Sequence, residues 1–212
     1  MTLRPTFIDD TLQKEFTENG YVIVEALSNE EIEQLKIGYD ALVDPDPRDF
    51  EATIYNKSSD HKRQVNGLIL PFSSKLIHKY LIDYKPLTSS ILRKLPSQDS
   101  IMPPHQDWTM CDESQYIGVN IWIPLVDVNE ENGQLYILKY GQKLPAAIRG
   151  NGIPPAFDFE LFKDHKLLTP LEMKAGQAII YDLRCIHSSP PNLSNYPRLA
   201  IGTATIPSEA VY

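Results

Sequence analysis

Cysteine is scarce in this chain. The two present, Cys111 and Cys185, have neither the spacing of a zinc or thiol-redox site nor the density of a disulfide framework. They read as reduced packing residues. Long apolar runs are missing too: none approaches the roughly 18–20 residues of a membrane span, and the opening Met1 to Asp10 lacks a signal peptide's apolar core. A cytoplasmic protein is the expectation. Basic residues are outnumbered, 20 Lys and Arg against 28 Asp and Glu, for a net charge of −8 and a pI near 5.1. Phosphate binding needs a basic surface that displaces counterions, so no nucleic-acid partner is expected, and no basic strip offers itself to an anionic membrane. A local basic pocket built from Arg93, Lys94 and Arg198 stays compatible with that balance. Internal repeats and low-complexity segments are also absent.

What the chain does have is enough length for one well-buried domain: 212 residues, 42% hydrophobic and 23% charged. Seventeen prolines against ten glycines point to many fixed loops. The first part, residues 1–86, reads as mainly helical. Asp9 or Asp10 can cap a short helix through Asn19, with Leu12 and Phe16 on one face and Gly20 as a left-handed stop; Tyr21 to Val24 is a short strand. Ser28 and Glu31 form a capping box, and Ile32, Leu35, Tyr39 and Leu42 recur at helical spacing up to the turn at Asp44-Pro45-Asp46-Pro47. Residues 44–66, with His61, Lys62 and Arg63, read as a polar surface loop, or else a lid or wall of a site. Phe72 to Leu81 reads as a helix with Leu76, Ile77, Tyr80 and Leu81 inward and His78 outward.

From residue 87 to 212 the pattern changes to short β-like runs: Ser90 to Leu95, Ser100 to Asp107, Tyr116 to Leu125, Gln134 to Leu138, Leu171 to Lys174, Gln177 to Leu183 and Arg198 to Ile206. Helices followed by many short strands predict a mainly β sandwich or barrel with helices packed outside. Within Tyr116 to Leu125 the alternation places Asn120 and Trp122 on one face, opposite Val119, Ile121 and Ile123.

Chemistry concentrates in two stretches. In Pro103-Pro104-His105-Gln106-Asp107-Trp108, an extended backbone would project His105 and Asp107 from one face of a strand. In Cys185-Ile186-His187-Ser188-Ser189, His187 is expected at the far end of the strand that follows the Gly176 turn. These three would make a 2-His-1-carboxylate facial triad for Fe(II), which leaves coordination positions open for reactants. Arg198, eleven residues past His187 and at the start of the next apolar strand, is placed to grip a carboxylate bidentately.

At these residues the sequence resembles the phytanoyl-CoA dioxygenase (PhyH-like) family of Fe(II)/2-oxoglutarate-dependent oxygenases. The resemblance rests on Phe16 to Val24, His105-Gln106-Asp107-Trp108, Val119 to Val128 followed by Asn132 to Leu135, and the His187 to Arg198 module. It implies a double-stranded β-helix, the cupin-like jelly roll, with His105, Asp107 and His187 on iron and Arg198 on the distal carboxylate of 2-oxoglutarate. It further implies that Trp122 lines the co-substrate pocket, and Asn120 and Gln134 are expected beside it. O2 as oxidant, decarboxylation of 2-oxoglutarate to succinate and CO2, and hydroxylation of an aliphatic C–H bond follow from the same resemblance, with desaturation and cyclisation as variants. The Asp at position 107 disfavours halogenation, which in related enzymes uses a small residue there.

The chain departs from the family after Leu138 and at its C-terminus, so the substrate is left open; its size favours a small molecule, and the oligomeric state is undetermined. Met102, Trp108, Ser188 and Tyr196 flank the motifs and can contact ligand or simply pack. The acidic turn Asp127 to Gly133 reads as solvated, and His165 as an exposed loop residue. The alternatives are a non-catalytic cupin-like barrel binding a metal or small ligand, and a zinc hydrolase using the same triad. Neither has a use for Arg198.

Overall fold

The computed structural model describes residues 3–42 and 48–210; the expected turn at 44–47 lies outside them. Helix α1 (Asp10–Asn19) starts where the Asp9 carboxylate accepts the amides of Thr11 and Leu12, and stops at Gly20 with φ 86°. Strand β1 (Tyr21–Glu25) follows. Helix α2 (Asn29–Asp40) carries the Ser28/Glu31 capping box and buries Ile32, Leu35 and Tyr39.

The stretch read as a loop is largely structured. It holds strand β2 (Phe50–Ala52), a 3-10 turn at Thr53–Tyr55 and the first turns of helix α3 (Ser59–Tyr80), which runs through Pro71. The helix starts earlier because Ser58 caps it, and because His61, Val65, Ile69, Ser73, Leu76 and Ile77 form a continuous buried stripe. The polar run from Lys62 to Gln64 hid that stripe. His61, expected in a surface loop, is buried with its Nε2 3.9 Å from a Glu51 carboxylate oxygen; His78 faces solvent as expected.

The remaining strands are β3 (Tyr84–Lys94), β4 (Met102–His105), β5 (Val119–Pro124), β6 (Leu135–Ile137), β7 (Thr169–Leu171), β8 (Gln177–Asp182), β9 (His187–Ser189) and β10 (Arg198–Pro207). They form a six-stranded sheet, β1-β8-β5-β10-β3-β2, and a four-stranded sheet, β4-β9-β6-β7, with every pairing antiparallel. This is the jelly roll. The N-terminal part does more than pack against it, because β1 and β2 are the two edges of the larger sheet.

Alternation sorts the side chains into two cores. Val119, Ile121, Ile123, Ile91 and Ile201 face out from the six-stranded sheet and pack under the helices, against Phe16, Leu35, Ile69 and Leu76. Trp122, Ile179, Tyr181 and Ala200 face in and meet Leu135, Ile137 and Leu171 from the smaller sheet. The functional side chains come from this inner face and from the small sheet opposite it.

Candidate active site

His105 ends β4 and pairs directly with His187, the first residue of β9, leaving the ring centroids 4.2 Å apart. Two of the expectations need correcting here. His187 is not on the strand after Gly176: β8 ends at Asp182, whose carboxylate accepts the Arg184 amide and guanidinium in a tight turn, and the chain then crosses to the other sheet. Asp107 lies past the end of β4, so a loop and not the strand pleat aims its carboxylate.

The outcome is still convergent. One ligand atom from each of His105, Asp107 and His187 lies within 4.8 Å of the other two, and among the described residues no other such group of His, Cys, Asp or Glu is found. Asn120 Nδ2 donates to Asp107 Oδ2 at 3.0 Å and fixes the carboxylate. Nδ1 of His187 donates to the Cys185 carbonyl at 3.1 Å, which leaves the Nε2 lone pair for the triad. Burial, and then the nearby His105, push the His187 imidazole down to about 4, so it is neutral at pH 7, the form a metal needs. His105 Nδ1 has a matching contact, 2.9 Å from the Pro103 carbonyl. The Tyr181 hydroxyl, 3.2 Å from His187 Nε2, was not anticipated; burial holds its phenol well above the ordinary value and therefore protonated.

Arg198 is 3% exposed, stacks over Trp122 at 5.5 Å, and has a single weak hydrogen bond, from Nη2 to Ser189 Oγ at 3.4 Å. Its Nε and Nη1 have no partner, and burial pushes the guanidinium down to about 9. Lys94 sits directly across the ladder from it, also fully buried. Two like charges side by side in a core are unfavourable, which favours loss of the Lys94 proton unless an anion joins them. Arg93, the third member of the expected basic pocket, points to the other face and pairs with Glu51 at 3.0 Å. Lys94 donates to the Ser189 carbonyl at 2.8 Å and to that of Pro190, and burial, followed by Arg198, pushes it down to about 6.

That shift has a measurable consequence. From about pH 6 up to the ordinary lysine value the unfolded chain holds a proton that the folded chain lacks, so stability rises with pH across that window. Urea melts of the ligand-free protein at pH 6.5 and 8.5 are expected to show this rise in the wild type and a flatter profile in Lys94→Met. An equal slope in both proteins would mean that Lys94 stays charged.

A cavity of about 360 Å³ opens onto these groups and is lined by His105, Asp107, His187, Asn120, Trp122 and Arg198. Met102 and Trp108 also line it. Gln134, Ser188 and Tyr196 do not: Gln134 and Ser188 are buried outside the lining, and Tyr196 is 77% exposed. Asp127, in the acidic turn, is taken by Lys174 and the Ala175 amide. His165 is half-buried against the Tyr136 ring, at 4.6 Å, and so departs from the exposed position expected.

Sequence reasoning also missed Arg149, which sits in the segment that matched the family least. It donates from Nε to the Asp107 carbonyl at 2.7 Å and forks onto both oxygens of Glu113, at 2.9 and 2.5 Å. The segment read as a possible substrate entrance therefore also braces the triad's carboxylate residue.

A jelly roll holding a His-Asp-His triad, with a lone buried arginine in the same cavity, is the arrangement of the non-haem iron oxygenases that use 2-oxoglutarate. The model of the phytanoyl-CoA dioxygenase (PhyH) family matches residues 16–200, and the chain belongs to that family. No curated protein sequence matches it significantly.

Among solved structures it is similar to the non-heme alpha-ketoglutarate-dependent carbocyclase SnoK of nogalamycin biosynthesis, with TM-score 0.67, 18% identity, and 99% of this chain and 89% of that one covered. It is also similar to the epimerase SnoN in complex with Fe3+, alpha-ketoglutarate and nogalamycin RO, with TM-score 0.64, 19% identity, and coverage of 96% and 85%. EvdO2 from Micromonospora carbonacea var. aurantiaca, complexed with 2-oxoglutarate, gives TM-score 0.61, 19% identity, and coverage of 97% and 94%. At such identities the likeness establishes the fold. No described helix is long and apolar enough to cross a membrane.

Proposed function

We propose that the protein is an Fe(II)- and 2-oxoglutarate-dependent oxygenase that hydroxylates an aliphatic C–H bond of a small-molecule metabolite or natural-product intermediate, with succinate and CO2 as co-products. The observation that carries this reading is Arg198: a buried guanidinium with two unpartnered nitrogens, in the same cavity as the triad. A barrel that merely held a metal would have no reason to keep a cation there, since an uncompensated buried charge is costly. The carboxylate of a co-substrate supplies the missing partner.

In this reading His105, Asp107 and His187 hold iron, and Asn120 and the Cys185 carbonyl orient two of those ligands. Arg198 pairs with the distal carboxylate of 2-oxoglutarate, and Trp122 forms the floor under the guanidinium. Gln134, expected to join them, is buried outside the cavity lining, with its Oε1 unpartnered. Bound iron and 2-oxoglutarate supply the oxidising chemistry, activation of O2 coupled to decarboxylation of the co-substrate. The protonated Tyr181 hydroxyl and the neutral His187 keep the interior free of any additional charge. The cytoplasm suits this assignment, because ferrous iron and the two buried thiols persist there.

The test is anaerobic. Wild-type protein with Fe(II) and 2-oxoglutarate should show the visible metal-to-ligand charge-transfer band, and His187→Ala should lose it. Iron bound without the band would rule out the oxygenase and return the protein to the metal-binding barrel. The structural neighbours include a carbocyclase and an epimerase, so product mass separates the outcomes: hydroxylation adds one oxygen atom, whereas cyclisation removes two hydrogens and epimerisation changes neither.

A further inference from the structure

Thr88, Ser90 and Gln106 are polar members of the cavity lining, but its remaining walls, beyond the groups assigned to metal and co-substrate, are mainly apolar. Phe50, Ile54, Tyr55, Met102, Trp108 and Met110 supply them. The charged or readily ionised groups in the lining are His105, Asp107, His187 and Arg198, and among the described residues Arg198 is its one permanent cation. In the oxygenase reading all four are occupied. A phosphate, nucleotide or carboxylate on the substrate would then enter beside Asp107 with no counter-charge, at a heavy desolvation cost.

Two aromatic rings that line the cavity stay open to solvent. Trp108 is 40% exposed and Tyr55 62% exposed, yet their centroids are 6.1 Å apart in an edge-to-face arrangement at 69°. They come from unrelated parts of the chain: Tyr55 from the 3-10 turn after β2, and Trp108 from the residue directly after Asp107. That adjacency sets the Trp108 ring at a fixed offset from the reacting centre. Large aromatic surface left open in the lining of an apolar cavity marks a ligand-contact site.

Building on the oxygenase reading, we propose that the substrate is an uncharged, largely apolar small molecule bearing a ring system, which packs against Trp108 and Tyr55. A phosphate-bearing acyl thioester does not fit this site. Tyr55 and Trp108 are then its specificity determinants, and the roughly 360 Å³ of space accommodates one such molecule beside the co-substrate.

The experiment measures binding by saturation-transfer NMR on the whole chain, without iron but with excess 2-oxoglutarate to occupy Arg198, using 2-naphthol as the neutral ring probe and octanoyl-CoA as the thioester probe. The wild type is expected to bind 2-naphthol saturably and to show no displacement by octanoyl-CoA. Tyr55→Ala and Trp108→Ala should each weaken 2-naphthol about tenfold, and Tyr55→Phe and Trp108→Phe should recover most of that loss. Two alanine variants on separate elements guard against one of them misfolding. Octanoyl-CoA binding as tightly as 2-naphthol, or 2-naphthol binding unchanged in both folded alanine variants, would overturn the proposal. Because no iron is used, ring binding that persists where the charge-transfer band is absent upholds the ring site and rejects the oxygenase alone.

Discussion

Arg198→Ala is expected to weaken 2-oxoglutarate about 100- to 1,000-fold while leaving Fe(II) affinity nearly unchanged. The size follows from removing one partner of a desolvated, hydrogen-bonded charge pair, which typically costs about 2–5 kcal/mol. The selectivity follows from position, because Arg198 belongs to β10 and is not a member of the triad on β4, β9 and the loop after His105. Anaerobic titration of the charge-transfer band with 2-oxoglutarate reads the first quantity, and direct Fe(II) titration reads the second. Arg198→Lys should recover only part of the loss, since an ammonium cannot reproduce the two-pronged grip of a guanidinium and Trp122 would lose its stacking partner.

Stability should move the opposite way. In the ligand-free protein Arg198 is a buried charge with two unsatisfied nitrogens and Lys94 directly across the ladder. An apolar residue of similar length removes that cost, so Arg198→Met should melt a few degrees above the wild type in the absence of co-substrate. Adding 2-oxoglutarate with a redox-inert metal should reverse the order, because the wild type gains far more binding free energy from the co-substrate than the variant does. If Arg198→Met melts lower in both conditions, the arginine is a structural residue and the anion site falls with it.

How much of this was visible in the sequence depends on whether the information is local. The Asp9 cap, the Gly20 stop and the Ser28/Glu31 box are three- or four-residue signals, and each helix end is found where they place it. The two-residue alternation in β5 placed Asn120 and Trp122 on a common face, and both line the cavity. Lys94 is a different case. That it points at the same interior as Arg198 depends on the register of β3 against β10, which no local pattern encodes. Arg93, one residue earlier, consequently looked equivalent and faces the other way.

His187 was displaced from its expected strand for a different reason. The apolar run through Leu183 masks a local signal, the Asp182 carboxylate accepting the amide and guanidinium of Arg184 two residues on, and that turn breaks the run into two strands on different sheets. In α3, the polar Lys62, Arg63 and Gln64 and the internal Pro71 outweighed a stripe that tertiary burial had set. Tyr181 carried a readable signal, the alternation shared with Ile179, although nothing in that pattern could foretell its approach to His187. Arg149 carried no local signal at all.

Arg149 is also where the second large effect is expected. Its guanidinium and the Glu113 carboxylate are both almost fully buried, at 7% and 5% side-chain exposure, and Arg149 further anchors the backbone of Asp107. Arg149→Met strands a buried carboxylate and an unpaired carbonyl, so a loss of about 3–5 kcal/mol in unfolding free energy is expected. The double variant Arg149→Met with Glu113→Leu removes both charges and should regain most of that stability, as buried ion pairs replaced by packed apolar groups generally do. Iron affinity should not return with it. The Asp107 carbonyl still lacks its donor, and partners that orient a metal ligand are worth about 10- to 100-fold in metal affinity. Chemical denaturation and Fe(II) titration across the wild type, the single variant and the double variant therefore separate the two contributions. If the double variant recovers iron affinity together with stability, Arg149 serves only to fold the loop; stability without affinity identifies it as the residue that positions Asp107.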